Sequence, residues 1–418
     1  MFSKSALFPI VSMLFVAILA AMASWFAWIK SLDNSFYDFL ARQQVLSYPE
    51  DIVIIAIDET SIEGLGSWPW DRRLHSQLLK KLEAADAVVF DIIFSEPQLE
   101  RGALTSHGSS SDSRSINVSD VGTANSERPQ GSADFMFSQA ILQSNNVLLP
   151  VFIEPLQFRG VLQEVLPLPI YAEAASRLAH AHLDHDEDGI ARGFFLREGL
   201  GQPFWPHLSF ALAEFLGEAA ADIPGERSLL SDGAEELYEI DSPYLIYRDY
   251  YNRIKFSGRA DTLYRISYID VLEGLIPNDT WKDKRVFVGA TAQGLGDEVS
   301  TPMGLMSGVE FNANAYHALR SGATVTAVGN RFHAFTTLVT LMVMTSLLSR
   351  LAPLPFLLAS LSGGLLAAFL SASLFWFSNI WYSPIACILA LMLFYPLTTQ
   401  LNQQVSDELI QRRKASVN

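Results

Sequence analysis

Four long apolar runs divide the chain, and their placement constrains the fold more than any other feature of the sequence. One run lies near the N-terminus and three follow Phe332, with about 300 mostly polar residues between them. Each run has 18 or more residues without an internal Lys, Asp or Glu, which is enough for a helix to cross a membrane. The predicted spans are Leu7–Ile29, Phe332–Ser349, Pro353–Phe377 and Ile380–Thr399. We therefore expect an N-terminal anchor (1–30), a large domain outside the membrane (31–331), three transmembrane helices (332–399) and a short tail (400–418).

The first run also has features of a cleaved signal peptide, because Ala21-Met22-Ala23 resembles a small-residue cleavage site. Against this alternative, the residues from Trp25 to Ile29 extend the run to spanning length. We therefore expect a retained anchor.

Basic residues near the ends of the runs predict the orientation of the chain. Four crossings place both termini on one side of the membrane. That side carries slightly more Lys and Arg than the other, which by the positive-inside rule makes it cytoplasmic. The residues compared are Lys4, Arg350, Arg412, Arg413 and Lys414 against Lys30, Arg42, Arg320 and Arg331. The domain at 31–331 is therefore expected to lie outside the cytoplasm.

Charge and cysteine content argue against a nucleic-acid-binding protein and against a disulfide-stabilised domain. The formal net charge of -16 argues against a nucleic-acid partner, which would require clustered Lys and Arg. The single cysteine, Cys387, lies inside the last predicted span. The large domain therefore contains no disulfide and depends on its apolar core.

Within the large domain, short apolar runs alternate with helical patterns. Continuous runs of β-branched and other apolar residues predict buried strands at Ile52–Ile57, Ala87–Phe90, Val147–Phe152 and Arg285–Val288. Helical spacing of apolar residues predicts helices at 74–82, 204–216 and 309–319. This alternation predicts an α/β fold with a mainly parallel sheet and flanking helices. Between 100 and 132 the sequence has almost no large apolar residues, so we expect a disordered insertion there.

Three blocks of the sequence resemble a known family. The first block consists of Asp58-Glu59-Thr60-Ser61, Gly66-Ser67-Trp68-Pro69-Trp70-Asp71-Arg72 and the segment Phe90–Pro97. The second is Asp186-Glu187-Asp188-Gly189 with Arg192, and the third runs from Val288-Gly289-Ala290-Thr291 through Asp297 and Thr301-Pro302 to Gly308-Val309. Together they resemble the type-two CHASE domain, an extracellular sensory domain of bacterial receptors. The resemblance covers about 33 to 322, and one span before and three after the domain are also similar to the family's usual layout.

The resemblance implies a membrane-bound sensor in the bacterial inner membrane with a periplasmic domain and an unknown extracytoplasmic ligand. In the family, a cytoplasmic kinase or cyclase normally follows the last span. Here the last histidine is His333, so the tail at 400–418 has neither a phosphoacceptor histidine nor a nucleotide site. We therefore expect the output to come from a homodimer or a cytoplasmic signalling partner, or to have been lost by truncation. A non-sensing structural or accessory subunit that binds another envelope protein is the alternative.

The sequence contains no recognisable catalytic motif. Gly289 to Gly294 has the spacing of a phosphate loop, but Leu295 stands where the lysine is required. We found no nucleophile elbow, no zinc-protease motif and no cysteine in the large domain. We therefore expect neither an enzyme nor a resident cofactor.

Polar residues at the ends of the predicted strands suggest a ligand pocket, because the carboxyl ends of parallel strands form the usual binding crevice. The candidate ligand-binding residues are Asp58, Glu59, Arg72, Asp91, Thr291, Asp297 and Thr301. Residues assigned a structural role in the same motifs are Trp68, Pro69, Trp70, Gly289 and Pro302. The alternative is an internal salt bridge from Arg72 to Asp58 or Asp91 that only fixes the loops.

A weaker metal signal lies in the middle of the chain. Asp184, Asp186 and Asp188 imitate the first half of a calcium loop, but Phe195 replaces the bidentate glutamate. Together with Asp184, His180 and His182 offer a zinc or copper site instead. An acidic turn with solvated histidines is the simpler interpretation.

Overall fold

The structure is a computed structural model of the chain. It describes residues 27–98, 131–155, 162–220, 222–225, 245–295, 298–329, 332, 335–336, 338–339, 353–389 and 391–392. These residues form two compact units. The larger comprises Leu46–His185 and Ile190–Ala323, and the smaller comprises the described parts of Met1–Val45, Asp186–Gly189 and Thr324–Asn418. Residues 100–130 of the predicted insertion, most of the first and second predicted spans and the whole tail lie outside the described residues.

The elements follow one another along the chain as numbered here. The helices are α1 (Ala27–Gln43), α2 (Glu59–Leu65), α3 (Arg72–Lys81), α4 (Ala133–Ser144), α5 (Pro169–Ala174), α6 (Leu208–Phe215), α7 (Tyr268–Leu272), α8 (Gly308–Arg320) and α9 (Pro353–Ser378). The strands are β1 (Ile52–Ile57), β2 (Ala87–Phe90), β3 (Val147–Pro155), β4 (Leu162–Val165), β5 (Arg177–His180), β6 (Gly193–Leu200), β7 (Trp205–Pro206), β8 (Ile246–Ile254), β9 (Arg265–Ser267), β10 (Arg285–Ala290), β11 (Glu298–Thr301), β12 (Gly304–Ser307), β13 (Thr324–Ala327) and β14 (Ile380–Trp381).

A seven-stranded sheet organises the larger unit. Its order is β4-β3-β2-β10-β1-β9, and β5 also pairs with β3. The pairings are parallel, except that β4 runs antiparallel to β3. Ile52 pairs with Arg285 and Val88 with Val286, so β10 lies between β1 and β2 although it follows them by about 200 residues. The predicted parallel sheet and its four predicted strands are confirmed.

Alternate side chains of the buried strands point to opposite faces of this sheet, and each face has its own helices. Val53, Ile55 and Ile57 pack on the face covered by α3, α4, α5 and α7. Ile52 and Ile54 pack on the opposite face, which α6 and α8 cover. Continuous apolar strands are expected where both faces of a parallel sheet are buried.

Helix α8 is buried on nearly all sides, because a second sheet covers the surface that faces away from the first. That second sheet is antiparallel and contains β7, β6 and β8. Val309 and Ala313 of α8 pack in the main core, whereas Phe311 and Ala315 pack with Phe194 of the second sheet. A helix that is apolar on several sides is typical of such a central position.

The smaller unit contains α1, α9, β13 and β14. Strands β13 and β14 pair in parallel, and the ring of Tyr37 in α1 makes edge contacts with Phe375 at 5.4 Å and Trp381 at 5.2 Å. The third predicted span is confirmed as a helix, α9. Of the helices in the described part of the chain, its segment Leu358–Ser378 is the one long and apolar enough to cross a membrane. The fourth predicted span begins differently, since β14 occupies its first two residues.

Candidate functional site

The end of β1 and the end of β10 form a topological switch point. These neighbouring parallel strands lead to helices on opposite faces of the sheet, because α2 packs with the core under α3 and α4 whereas α8 packs on the other side. In open parallel sheets, ligands bind in the crevice beyond the carboxyl ends of such strands. A cleft of about 430 Å³ lies at this point. Its lining residues are Ala56, Asp58, Glu59, Asp261, Arg265, Ser267, Ala290, Thr291, Ala292, Gln293, Glu298, Leu305, Met306 and Ser307.

Asp58 is the most firmly positioned acid of this switch-point cleft. Its Oδ1 caps α2 by accepting from the backbone N–H of Ser61 at 2.9 Å. The same oxygen accepts from the hydroxyl of Ser61 at 2.6 Å and from that of Ser267 at 2.9 Å. Three donors on one oxygen fix the carboxylate, and none of the described hydrogen bonds uses Oδ2.

The loop after β10 is tied to the end of β1. The backbone N–H groups of Thr291 and Ala292 both donate to the carbonyl of Ile57 at 3.0 Å. The N–H of Gln293 donates to Oε1 of Glu59, also at 3.0 Å. The structure therefore brings three predicted ligand-binding residues, Asp58, Glu59 and Thr291, into one cleft.

Arg265 supplies the cation of the cleft, and two acids hold it. Its Nη2 lies 2.5 Å from Oε2 of Glu310, whose side chain is 0% exposed, and its Nη1 pairs with Asp261. Burial raises the pKa of Glu310, and the neighbouring guanidinium opposes that rise. The positive charge of Arg265 is thereby already balanced within the protein.

Gly289 and Thr301 support the cleft from outside its lining. A Cβ at Gly289 would lie 2.6 Å from Cβ of Val309, so glycine allows α8 to approach β10. Thr301 is buried, and its hydroxyl donates to the carbonyl of Gly304 at 2.7 Å in the β11–β12 turn that also contains Pro302. Thr301 was predicted to bind ligand, but here it closes a hairpin. Asp297 lies outside the described residues.

Arg72 and Asp91 occupy neighbourhoods separate from Asp58. The guanidinium of Arg72 lies over the ring of Phe94, 4.6 Å from its centroid. Asp91 accepts a hydrogen bond from Nδ2 of Asn312 at 3.1 Å. Neither residue belongs to the lining of the cleft. Strand order explains the separation, because β10 lies between β1, which precedes Asp58, and β2, which precedes Asp91.

The Trp68-Pro69-Trp70 motif packs on the face of the sheet that α3, α4, α5 and α7 cover. Trp70 is buried, and its indole N–H donates to the carbonyl of Gly66 at 2.7 Å. Its ring lies 4.8 Å from that of Tyr268, and Trp68 contacts Trp70 edge-on at 5.2 Å. The two tryptophans therefore make packing contacts and a hydrogen bond within the protein.

Beneath this motif, His75 is fully buried among aromatic rings. Its Nδ1 shares a hydrogen bond of 2.8 Å with the hydroxyl of Tyr268, while the rings of Phe94 and Phe137 lie 5.2 and 5.5 Å away. Burial lowers the pKa of His75 to about 3. The neutral imidazole is therefore part of the core.

In the larger unit, the predicted metal residues His180, His182 and Asp184 contact other side chains of that unit. His182 Nδ1 lies 2.9 Å from Oε1 of the buried Glu198, and Arg248 also binds Glu198, through Nε at 2.7 Å, and Asp184 at 3.4 Å. The ring of His180 lies 5.0 Å from the ring of His207. Burial alone would raise the pKa of Glu198, but its hydrogen bond with His182 and the surrounding charges hold it below its ordinary value.

The positive charge between Glu198 and the predicted metal ligand Asp184 is therefore the guanidinium of Arg248. Asp186 and Asp188 belong to the smaller unit. Among the described residues, no group of three or more His, Cys, Asp or Glu side chains is arranged to hold a metal ion.

Several residues that line the cleft were not predicted from the sequence, and most of them belong to β9 and to the β11–β12 hairpin. Strand β9 has only three residues, which is too short to give a period-2 pattern. Asp261, Arg265 and Ser267 stand more than 200 residues from Asp58 in the chain. In Arg265-Ile266-Ser267 one apolar residue stands between two polar ones, but three residues are too few to identify a strand from this alternation.

Comparison with known families gives one match. The family model described as the CHASE2 domain matches residues 12–350, which is most of the chain and includes the whole of the cleft. This match confirms the resemblance seen in the motifs. Neither the curated proteins nor the solved structures yielded a match.

Proposed function

The chain belongs to the CHASE2 domain family of extracellular sensory domains in signal transduction, and on this premise we propose that it is a membrane-bound sensor with its ligand site in the switch-point cleft. The cleft is the observation that carries the proposal. It combines the crevice position typical of open parallel sheets with family-motif residues at Asp58, Glu59 and Thr291. No catalytic role is proposed.

Helix α8 offers a route from this cleft to the points where the chain enters and leaves the larger unit. Its N-cap residue, Ser307, lines the cleft. Near its other end, Nη2 of Arg320 binds Oδ1 of Asp51 at 2.6 Å, and Nε2 of His317 lies 3.0 Å from the carbonyl of Ser47. Thirteen helical residues span about 20 Å. A ligand that moved the N-terminus of α8 would therefore act on both connections.

The membrane arrangement that we propose has the domain at 31–331 in the periplasm and four crossings of the bacterial inner membrane. The apolar helix α9 supports one crossing, and the charge distribution supports the orientation. We propose a second copy of the chain or a cytoplasmic protein as the output partner, and no nucleic acid. Reporter fusions at Gly108 and at Asn418 should report opposite sides of the membrane, and a cytoplasmic signal from Gly108 would refute the orientation.

Thermal unfolding of the full chain in detergent tests ligand binding. The probe is the dialysable fraction of spent culture medium, since the natural ligand is unidentified. A ligand at about 100 times its Kd should stabilise the native state by about 2.7 kcal/mol. The Gln293→Trp variant, which fills the cleft, should lose this response.

Gln77→Trp is the matched control, because Gln77 is also exposed but lies on α3 outside the cleft. It should respond as the wild type does. If the medium fraction stabilises no form of the protein, or stabilises Gln293→Trp equally, the cleft is not a sensory site. The first of these results would favour a structural or accessory subunit.

A further inference from the structure

The lining of the switch-point cleft is strongly acidic. Four carboxylates, those of Asp58, Glu59, Asp261 and Glu298, face a single guanidinium, that of Arg265. That guanidinium is already paired with Asp261 and with the buried Glu310. The cleft therefore has a surplus of negative charge, and a bound cation would be favoured over a bound anion.

Two polar groups of the lining have unused hydrogen-bonding capacity. The described residues give Asp58 three donors on Oδ1 and none on Oδ2. The hydroxyl oxygen of Ser307 is buried and has no hydrogen-bond partner in the described part of the chain. A carboxylate oxygen and a hydroxyl can both accept from the same class of ligand, an N–H donor.

The N-termini of the two helices at the cleft, α2 and α8, offer little attraction for a bound anion. A helix N-terminus attracts negative charge, but the N-terminus of α2 is already capped by Asp58. The first turn of α8 contains Glu310, so the N-terminus of this second helix also has a carboxyl group beside it. Both positive helix ends are therefore already matched by acids of the protein.

The described side chains of the cleft favour an organic cation over a metal ion as the ligand. A calcium or magnesium ion needs several oxygen ligands around one point. The described residues contain no such group of three acidic or histidine side chains. The lining also contains the apolar residues Ala56, Met306 and Leu305, the last 52% exposed. A cleft of about 430 Å³ with this lining suits a small molecule that has carbon atoms beside its charged groups.

We propose that the cleft binds a small organic amine, with an ammonium group on Oδ2 of Asp58 and a further donor reaching Ser307 or Glu298. This assignment rests on the proposed sensory function and names the chemical class of its ligand. Charge-assisted N–H bonds to a carboxylate fixed by three donors provide the specificity. Neutral or acidic molecules of the same size lack the complementary charge.

Three probes with the same four-carbon chain test the charge preference directly. Thermal unfolding of the full chain in detergent is measured with 1,4-diaminobutane, 1,4-butanediol and succinate at constant ionic strength. The diamine should raise Tm in a saturable manner, and the diol and succinate should not. Asp58→Asn should weaken the apparent affinity for the diamine by at least about tenfold. Glu298→Gln, at an exposed strand position that does not endanger folding, should weaken it in the same direction.

Glu63→Gln is the matched control, because Glu63 is exposed on the same helix that Asp58 caps but does not line the cleft. It removes the same charge and should leave diamine binding unchanged. Equal weakening by Glu63→Gln would show a general charge effect and overturn the proposal.

Stabilisation by succinate, or by calcium chloride in a manner that depends on Asp58, would also overturn the amine assignment while leaving a sensory cleft in place. If the medium fraction stabilises the protein through Gln293 but the diamine does not, the amine proposal alone fails. If neither stabilises it, both proposals fail.

Discussion

Acid should destabilise the larger unit, because its buried histidines are neutral in the folded state. The rings of His75 and His207 are 0% exposed, and burial lowers the pKa of each to about 3 from the usual 6.5. The unfolded chain takes up protons on these rings near pH 6.5, whereas the folded chain does not. Stability is therefore lost as the pH falls below about 6.5, and the loss continues toward pH 3.

The size of the effect follows from proton linkage. A pH of 5 is about 1.5 units below the pKa of a histidine in the unfolded chain. Protonation of that histidine therefore stabilises the unfolded state, and each buried ring costs the folded protein about 2 kcal/mol of stability. His75 and His207 together give about 4 kcal/mol. His180 adds to the loss, since burial also holds its pKa well below the usual value. A loss of this size is a large part of the 5–15 kcal/mol that is typical of folded domains.

Urea unfolding of the full chain in detergent, followed by tryptophan fluorescence, measures this loss between pH 7.5 and pH 5. The His75→Gln variant cannot take up the proton, so its loss should be smaller than that of the wild type by about 2 kcal/mol. His185→Gln is the control, because His185 is exposed, and its pH dependence should match the wild type. A wild-type loss below about 1 kcal/mol, or a full loss in His75→Gln, would refute the argument.

Three substitutions test other contacts, each through the urea midpoint at pH 7.5. Gly289→Ala should cost about 1–3 kcal/mol, because the new methyl group would overlap Val309; an unchanged midpoint would show that α8 can shift without cost. Arg248→Met should lower the free energy of unfolding by about 3 kcal/mol, because the buried Glu198 loses its guanidinium partner. Adding Glu198→Gln should recover part of that loss, and strictly additive effects of the two substitutions would contradict the pairing. Trp70→Phe should cost about 1–3 kcal/mol through the lost indole hydrogen bond and packing, and a smaller loss would mean that the Trp motif is peripheral.

The amino-acid sequence determined the fold class and four of the seven strands of the main sheet. Ile52–Ile57 and Val286–Val288 are continuous apolar runs, and a strand buried on both faces requires such a run wherever it pairs. The polar residues that follow β1 and β10 were also visible, so Asp58, Glu59 and Thr291 could be assigned to a crevice. Local patterns of this kind depend only on neighbouring residues.

Only the tertiary structure decided which strand ends meet. The apolar pattern of β10 does not specify that it inserts between β1 and β2, because almost any buried strand satisfies the same backbone hydrogen bonds. That insertion separates Asp91 from Asp58. Arg72, assigned to the crevice from its place in the motif, lies instead over Phe94.

The charge of the cleft was likewise decided by long-range pairing. Arg265 and Asp261 reach the cleft because the short strand β9 pairs with β1, and Glu298 reaches it on a hairpin. Neither element has a periodic signal long enough to be placed from the sequence. The sequence therefore indicates where a parallel sheet can hold a ligand, whereas the distant segments that fold against the strand ends set the charge of that site, since side-chain contacts across 200 residues leave no local pattern.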